Sequence, residues 1–363
     1  MSYLEAIHSK LITIPSHYPN EKEIGLFLER ELKKNGFSVE RQEVEKERYN
    51  LLAEKGQGKT AVLFYAHMDT VPISPKEWKT DPYTPIRNGE YVYGSGASDD
   101  KGGIAAVLSA TKNTKAHVKI AFGSDEENIS KGAWAMVKKR RGFFKGVELI
   151  ISAEPSFLLR SHNVTRGRTG RCVFVVTFKG KSEHLFRYKS ATDAIEKMGN
   201  FIAEFYKRRE KLFKSRDTVS QVRMTKAESI GMSVCGEATA EVEVLLGNGD
   251  SIDGVKKIIE TLSKSKVVTK LRETPYLEGY YFDEFPYMDR IDAIIKRNTG
   301  KRMVLSTRKS VADDNVFASL NIPVITWGAE GANEHKANER VNIGSLKLIA
   351  GMYTELLDIL PGD

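Results

Sequence analysis

Four short apolar segments, each leading into a histidine or an acidic residue, restrict the fold of this chain more than any other feature. Such runs are typical of strands buried on both faces of a parallel sheet. Open α/β sheets collect their reactive groups beyond the carboxyl ends of their strands. We therefore expect an α/β fold whose functional site lies where these strands end. The segments are Ala61–Ala66 before His67, Val118–Phe122 before Asp125-Glu126-Glu127, Glu148–Ser152 before Glu154, and Pro323–Trp327 before the loop with His335.

The stretch from about Thr169 to Arg272 interrupts this series with a different pattern. Strand-like and helix-like segments follow one another there in the order β-α-β-β-α-β, which is typical of a ferredoxin-like layer. A chain of 363 residues also exceeds the size at which one core usually keeps growing, so two domains are expected. We predict a catalytic domain of residues 1–167 and 275–363, with a mixed central sheet and flanking helices, and an inserted α+β domain of residues 168–274.

Composition excludes several classes of function. Hydrophobic residues form 40% and charged residues 29% of the chain, as in an ordinary globular protein. The net charge is +8, but the basic runs Lys138–Arg141 and Lys207–Arg209 lack interleaved aromatic residues, so we expect no nucleic-acid partner and favour anionic small substrates. No window approaches the ~20 apolar residues of a membrane span. Only two cysteines are present, without CxxC spacing, which fits a reducing cytoplasm.

A histidine and an acidic residue lie two positions apart at the end of the first apolar segment. In an extended chain, the side chains of His67 and Asp69 point to the same side. This spacing suits a metal-binding imidazole whose other ring nitrogen is fixed by a carboxylate.

A glycine-flanked acidic turn, Gly94–Gly103, contains Asp99 and leads into an apolar helix from Ile104. A dinucleotide-binding fingerprint explains it poorly, because the third glycine is missing and an Asn88-Gly89 hairpin signal precedes the turn. Close backbone packing around an acidic residue that bridges two cations accounts better for the glycines.

The other candidate residues follow the remaining segments. Glu126 and Glu127 are adjacent carboxylates, whose mutual repulsion is relieved by a cation or by solvent. One can ligate a metal while the other acts as general base toward water. With Glu154 and His335, the set contains two histidines and three carboxylates. These nitrogen and oxygen ligands suit zinc, with cobalt or manganese as alternatives.

Together these motifs resemble the co-catalytic two-zinc metallopeptidases, which include acetylornithine deacetylase, succinyl-diaminopimelate desuccinylase, aminoacylase and glutamate carboxypeptidase. The resemblance runs nearly end to end. It implies a zinc-peptidase-like catalytic domain with an inserted lid and dimerisation domain. The matching residues are His67–Pro72, Trp78, Asp81-Pro82-Tyr83, Gly94–Gly103, Asp125–Glu127, Glu154-Pro155-Ser156 and His335.

The resemblance implies two zinc ions held by five ligands. Asp99 would bridge the ions, His67 and Glu154 would complete one site, and Glu127 and His335 would complete the other.

Three further residues take catalytic roles by the same resemblance. Asp69 would orient His67. Glu126 would take a proton from the water that attacks an amide carbonyl and return it to the leaving amine. His184 would reach from the inserted domain into a partner subunit's site to stabilise the oxyanion. This implies a homodimer through the inserted domain, whose first strand and first helix could extend a sheet edge across a twofold axis.

The substrate stays open. Members of the family that grip an α-carboxylate use an Asn and an Arg in the inserted domain, and Gly231–Leu246 contains neither. The leading hypothesis is a deacylase of N-acyl amino acids, of the deacetylase or desuccinylase type, in lysine or ornithine biosynthesis. A carboxypeptidase or dipeptidase with the same metals, acting on a short peptide, is the alternative, and a non-catalytic binding protein of this fold is less favoured. Asp313 matches an acidic residue of the family, although a helix cap explains it equally well.

Overall fold

The computed structural model describes residues 1–58, 61–156 and 160–360 of the chain. The chain forms two compact units. Unit 1 comprises Met1–Gly167, Phe282–Thr307 and Ala312–Asp363, and unit 2 comprises Arg168–Tyr281 with Arg308–Val311. Over the ranges described, no helix combines the length and the apolar character needed to cross a membrane.

The helices in the described ranges are α1 (Tyr3–Ile12), α2 (Lys22–Lys34), α3 (Lys101–Thr111), α4 (Lys131–Lys139), α5 (Ala194–Leu212), α6 (Ile252–Ser263), α7 (Met288–Thr299), α8 (Asp313–Ala318) and α9 (Ile343–Asp358). Short 3₁₀ helices lie at Pro75–Glu77, Arg141–Phe144 and Leu185–Ser190.

The strands are β1 (Ser38–Glu45), β2 (Arg48–Lys55), β3 (Ala61–His67), β4 (Ile86–Asn88), β5 (Tyr91–Tyr93), β6 (Val118–Gly123), β7 (Val147–Ser152), β8 (Asn163–Arg168), β9 (Gly170–Lys179), β10 (Val219–Ala227), β11 (Glu237–Leu246), β12 (Lys266–Thr269), β13 (Tyr280–Tyr281), β14 (Val304–Arg308), β15 (Val324–Thr326), β16 (Gly331–Ala332) and β17 (Arg340–Asn342).

The central sheet of unit 1 is mixed, as the sequence predicts. Strand β3 pairs in parallel with β6 and β7, and β15 pairs in parallel with β7. The antiparallel strands β2 and β1 extend this core on one side, so that the order is β1-β2-β6-β3-β7-β15-β8. The four apolar segments of the sequence are therefore the four parallel strands, and their carboxyl ends meet at one edge of the sheet.

Helices cover this sheet and bury it. Residues Val62–Ala66 of β3 have no exposed surface, and α3 packs against α1 and α9. Beyond β15, the indole of Trp327 donates a hydrogen bond to the carbonyl of Ser161 at 3.0 Å and meets the ring of Tyr353 with centroids 5.4 Å apart. Full burial of one large apolar side chain is worth roughly 1.5–3 kcal/mol, so this layer anchors the end of β15.

A small second sheet in unit 1 has the order β16-β17-β5-β4. Its β4–β5 pair is the hairpin that Asn88-Gly89 predicts, with Gly89 at φ +59°. Strand β17 pairs with β5, which brings the chain around residues 330–340 to the turn that follows β5.

Unit 2 has the predicted order β9-α5-β10-β11-α6-β12. Its sheet order is β10-β11-β9-β12, and buried and partly exposed residues alternate along β11 because one face of the sheet packs on the helices. The expectation that the first strand lies at a sheet edge is wrong. Both β11 and β12 pair with β9, so β9 is internal and the edges of this sheet are β10 and β12.

Candidate metal centre

The predicted ligands follow the carboxyl ends of the parallel strands of unit 1. His67 is the last residue of β3, Glu127 lies just beyond β6, and Glu154 lies just beyond β7. His335 lies on the segment between β16 and β17. The sheet therefore brings residues from distant parts of the sequence toward one edge.

Asp99 lies between two histidines. Its Oδ1 is 3.0 Å from Nε2 of His67, and its Oδ2 is 3.2 Å from Nε2 of His335. The same His335 nitrogen is 3.1 Å from Oε2 of Glu127. Ligand atoms of His67, Asp99 and Glu127 all lie within 4.8 Å of one another. Two imidazoles and two carboxylates thus converge, and this set of nitrogen and oxygen donors fits a divalent cation.

The convergence occurs in a largely desolvated environment. His67 is 1% exposed and Asp99 is 6% exposed, whereas the side chain of His335 is 52% exposed. Burial opposes ionisation of Asp99, but the hydrogen bonds from His335 and His67 outweigh it and hold the pKa of Asp99 below its usual range. The hydrogen bond to Asp99 raises the pKa of His335 to about 10, and the hydrogen bond to Glu127 makes the next largest contribution. The carboxylates therefore draw positive charge to this position.

Further acidic groups lie near this cluster. Burial raises the pKa of Glu126 well above its usual value, and the charges of Glu154 and Glu127 add to the effect. Burial likewise raises the pKa of Asp69 to about 7. Such a concentration of carboxyl groups is costly unless protons or cations neutralise it. The electrostatics therefore agree with the donor set in favouring a cation site.

Asp69 contacts the neighbouring residues differently from the sequence interpretation. The carboxylate accepts hydrogen bonds from the amides of Glu126 at 3.2 Å and Glu127 at 2.9 Å. Nδ1 of His67 instead lies 2.9 Å from the backbone carbonyl of Asp69 and 3.7 Å from its carboxylate. The hydrogen bond of His67 is therefore to the carbonyl of Asp69, while the carboxylate lies farther away and is engaged by the turn after β6. That Asp69 orients His67 stays a prediction.

The glycines after Asp99 permit close packing. A Cβ atom on Gly103 would lie 2.1 Å from Oδ1 of Asp100 and 2.5 Å from the carbonyl of Ala153. On Gly102 it would lie 2.9 Å from the carbonyl of Ala97. Any side chain here would displace the turn that carries Asp99, in agreement with the packing explanation of these glycines.

Two further predicted residues are outside the group formed by His67, Asp99, Glu127 and His335: Glu154, which belongs to unit 1, and His184, which belongs to unit 2. Glu154 is 3% exposed. Burial raises the pKa of Asp100 and of Glu126, and the charge of Glu154 adds to both effects. His184 belongs to unit 2, where it precedes the 3₁₀ helix Leu185–Ser190 and its Nδ1 accepts a hydrogen bond from the amide of Phe186 at 3.2 Å.

Three further acidic residues are near the cluster, and sequence motifs assign none of them a role in the site. Asp100 is fully buried and its Oδ2 is 3.4 Å from the amide of His67. Asp313 does not cap α8 through its side chain, so the helix-cap explanation is wrong; the hydroxyl of Tyr65 donates a hydrogen bond to its carboxylate. Glu339 accepts hydrogen bonds from the turn that carries Asp99. In the sequence, Asp100 and Asp313 each belong to an adjacent acidic pair, and Asp313 also matches an acidic residue of the resembled family. Glu339 has no signal of this kind.

A model of the peptidase family M20/M25/M40 matches residues 63–359, which is most of the chain. The chain belongs to this family. Membership in the M20/M25/M40 family makes it a metallopeptidase-type hydrolase acting on amide or peptide bonds, and it confirms the resemblance inferred from the motifs.

Two relatives of this M20/M25/M40 chain are succinyl-diaminopimelate desuccinylases. The one from Bordetella petrii is 28% identical over 374 residues, which cover 98% of this chain and 97% of that protein. The one from Alteromonas mediterranea is 27% identical and covers 91% of this chain and 90% of that protein. The similarity therefore includes both units.

Solved structures with the same fold include peptidases. A tripeptidase from Staphylococcus aureus matches with a TM-score of 0.79 at 20% identity, covering 98% of this chain and 97% of that one. Aminopeptidase PepT from Bacillus cereus matches with a TM-score of 0.80 at 18% identity and the same coverage. At these identities the matches establish the fold of this M20/M25/M40 member.

Proposed function

We propose that the chain is a metal-dependent amidohydrolase that removes the acyl group from an N-acyl amino acid. The observation that carries this proposal is the position of Asp99 between His67 and His335, with Glu127 beside them and Glu126 adjacent in sequence. The end-to-end similarity to desuccinylases supports an N-acyl amino acid over a peptide as substrate.

Asp99 is the proposed ligand shared by two cations. Each of its oxygens faces a different histidine, which supports the assignment of His67 with Glu154 to one cation and His335 with Glu127 to the other. Zinc is the proposed metal, with cobalt or manganese as alternatives. Bound in such a site, divalent cations supply Lewis-acid chemistry that makes water acidic enough to ionise near neutral pH.

Glu126 is the proposed general base. Its backbone amide, like that of Glu127, donates a hydrogen bond to the carboxylate of Asp69. This arrangement keeps the base and a ligand side by side on one short turn. The Glu126 carboxylate would accept a proton from the attacking water and pass it to the nitrogen of the leaving amine.

His184 and a homodimer form the finer part of the proposal. Exposed apolar side chains lie close to His184 along the chain or across its bridge to Ser233, which supports a protein interface at this place on unit 2. Phe186 is 91% exposed, Ile230 is 90% exposed and Met232 is 66% exposed. Seated against a partner subunit, the imidazole of His184 could donate a hydrogen bond to a developing oxyanion.

A substrate panel tests this function. The protein is purified, dialysed against a chelator, and assayed with N-succinyl amino acids, N-acetyl amino acids and dipeptides, before and after addition of zinc or cobalt. We expect hydrolysis of N-acyl amino acids that depends on added metal. Hydrolysis of dipeptides alone would contradict the assignment of an N-acyl amino acid as substrate and would favour a peptidase. Full activity in the chelated protein would remove the metal assignment, and a fully active monomer in light scattering would remove the role of His184 between subunits.

A further inference from the structure

We propose that Glu339 is a positioning residue that fixes the turn Gly94–Asp99 and thereby holds Asp99 where two histidines can share it. This inference rests on the proposed metal site. It adds a residue that contacts no metal in that proposal but determines the position of the shared ligand.

Glu339 binds the turn through its side chain at three points. Its Oε2 accepts a hydrogen bond from the amide of Gly96 at 2.7 Å, and its Oε1 accepts hydrogen bonds from the amides of Ser98 at 2.9 Å and Asp99 at 2.8 Å. Glu339 is 5% exposed. Water does not compete for hydrogen bonds at a buried side chain, and an amide that lost its partner there would be left unsatisfied.

The backbone of Glu339 is anchored independently of its side chain. Its carbonyl accepts a hydrogen bond from the amide of Gly94 at 3.1 Å. The next residues form β17, where Arg340 pairs with Tyr93 and Val341 with Val92 of β5. The turn Gly94–Asp99 therefore begins directly after β5, and Glu339 directly precedes β17, the strand that pairs with β5. The carboxylate of Glu339 adds its hydrogen bonds to the turn beyond this pair of strands.

The segment before β17 packs tightly on the same turn. A Cβ atom on Gly331 would lie 1.7 Å from Oγ of Ser98, so only glycine fits there. Oγ of Ser98 also donates a hydrogen bond to Oε1 of Glu334 at 3.0 Å. His335 lies on this segment, so both of the candidate ligands that face each other, Asp99 and His335, are held by the same contact between two loops.

The geometry separates Glu339 from the ligands. Both of its oxygens face backbone amides of the turn, and it is absent from the group of donor atoms formed by His67, Asp99 and Glu127. A glutamine at this position would keep the size of the side chain but would direct an amide N–H₂ at backbone N–H groups. At least one of the three hydrogen bonds would be lost, and the turn would shift.

The experiment compares zinc binding by wild type and Glu339→Gln, using a zinc-sensitive chelator in competition, with cobalt absorption spectra as a second probe. We expect zinc affinity to fall by about 10- to 100-fold, the range found when groups that orient metal ligands are removed. The control is Asp250→Asn in unit 2. Asp250 is also a buried carboxylate that accepts two backbone amides, from Lys214 and Ser215 at 3.0 Å each, so its loss should lower stability and leave zinc affinity unchanged.

Each outcome separates this inference from the proposed site. Absence of zinc binding by wild type would overturn the metal site itself. Zinc binding by wild type with equal affinity in folded Glu339→Gln would overturn the role of Glu339 alone. If Glu339→Gln does not fold, Glu339→Asp is compared in the same way. Hydrogen exchange of metal-free wild type needs no variant: the amides of Gly96, Ser98 and Asp99 should be protected, and rapid exchange at all three would also overturn the inference.

Discussion

Arg48 donates a hydrogen bond to Asp125 from inside unit 1, at 3.0 Å, and the two side chains are 6% and 0% exposed. The same guanidinium binds Glu21 and Glu45. Asp125 has a φ of +72° and directly precedes Glu126, and its carboxylate also accepts the amide of Lys131 at 3.0 Å. The turn that carries the proposed base is therefore tied to β2 by a buried ionic network.

Replacing Arg48 with methionine should destabilise the protein by about 3–5 kcal/mol, because it leaves buried carboxylates without their cation. The free energy of unfolding from urea titration measures this. The matched control is Arg87→Met, since Arg87 contacts Glu5 at 3.4 Å with 60% of its side chain exposed, and its loss should cost less than about 1 kcal/mol. Equal effects of the two substitutions would contradict the importance of the buried network.

Glu126→Gln should retain metal and lower turnover by about two to four orders of magnitude, because the amide cannot accept the proton of the attacking water. Metal content by elemental analysis and kcat on an N-acyl amino acid measure the two effects. Glu210→Gln, on the exposed end of α5, should change neither. A Glu126→Gln protein with near-normal turnover would refute the assignment of the base.

Gly103→Ala should destabilise the protein by about 1–3 kcal/mol, because the added Cβ would lie 2.1 Å from Oδ1 of Asp100 and 2.5 Å from the carbonyl of Ala153. Thermal unfolding measures the change. Gly351→Ala in α9 is the opposite case: a Cβ there meets nothing within 4 Å, so the helix should gain roughly 0.5–1 kcal/mol. A tolerated Gly103→Ala would show that the turn can move.

His8 should make the stability of the protein depend on pH. It is 1% exposed, its Nε2–H donates to the carbonyl of Ala97 at 2.8 Å, and burial, assisted by Lys101, lowers its pKa from 6.5 to about 4. Below pH 6.5 the unfolded chain therefore binds a proton that the folded chain does not. The free energy of unfolding should fall by about 3 kcal/mol between pH 6.5 and 4 from this residue.

Urea titrations at several values between pH 4 and 7 check this contribution. His8→Gln keeps a donor for Ala97 but does not titrate, so its stability should depend less steeply on pH than that of wild type. Parallel curves for the two proteins would exclude a neutral His8 in the folded state.

The fold and the cluster around Asp99 were predictable because each parallel strand is a mainly apolar run that leads into a histidine or an acidic residue. Segments such as Ala61–Ala66 and Glu148–Ser152 carry that signal within a few residues of sequence. The helix of unit 2 that contains Met198 and Phe205 was predictable from its apolar spacing for the same reason.

Other features have no local signal. Gly96 and Glu339 are 243 residues apart in sequence, so no local motif predicts the hydrogen bonds between this turn and Glu339. Strand β17 has three residues, too few to show an apolar periodicity. Whether His67 contacts the carboxylate or the carbonyl of Asp69 depends on where the turn after β6 lies. The position of β9 inside its sheet depends on pairing between strands far apart in the chain.

The order of the central sheet has a consequence for synthesis of the chain. Strand β15 occupies the place between β7 and β8, although it is made long after both of them and after all of unit 2. His335 and Glu339 follow β15. A nascent chain that has completed unit 2 therefore still has a gap in its central sheet and lacks one of the histidines facing Asp99. On this basis, binding of a metal by the full set of proposed ligands would be a late event, which follows insertion of the last parallel strand.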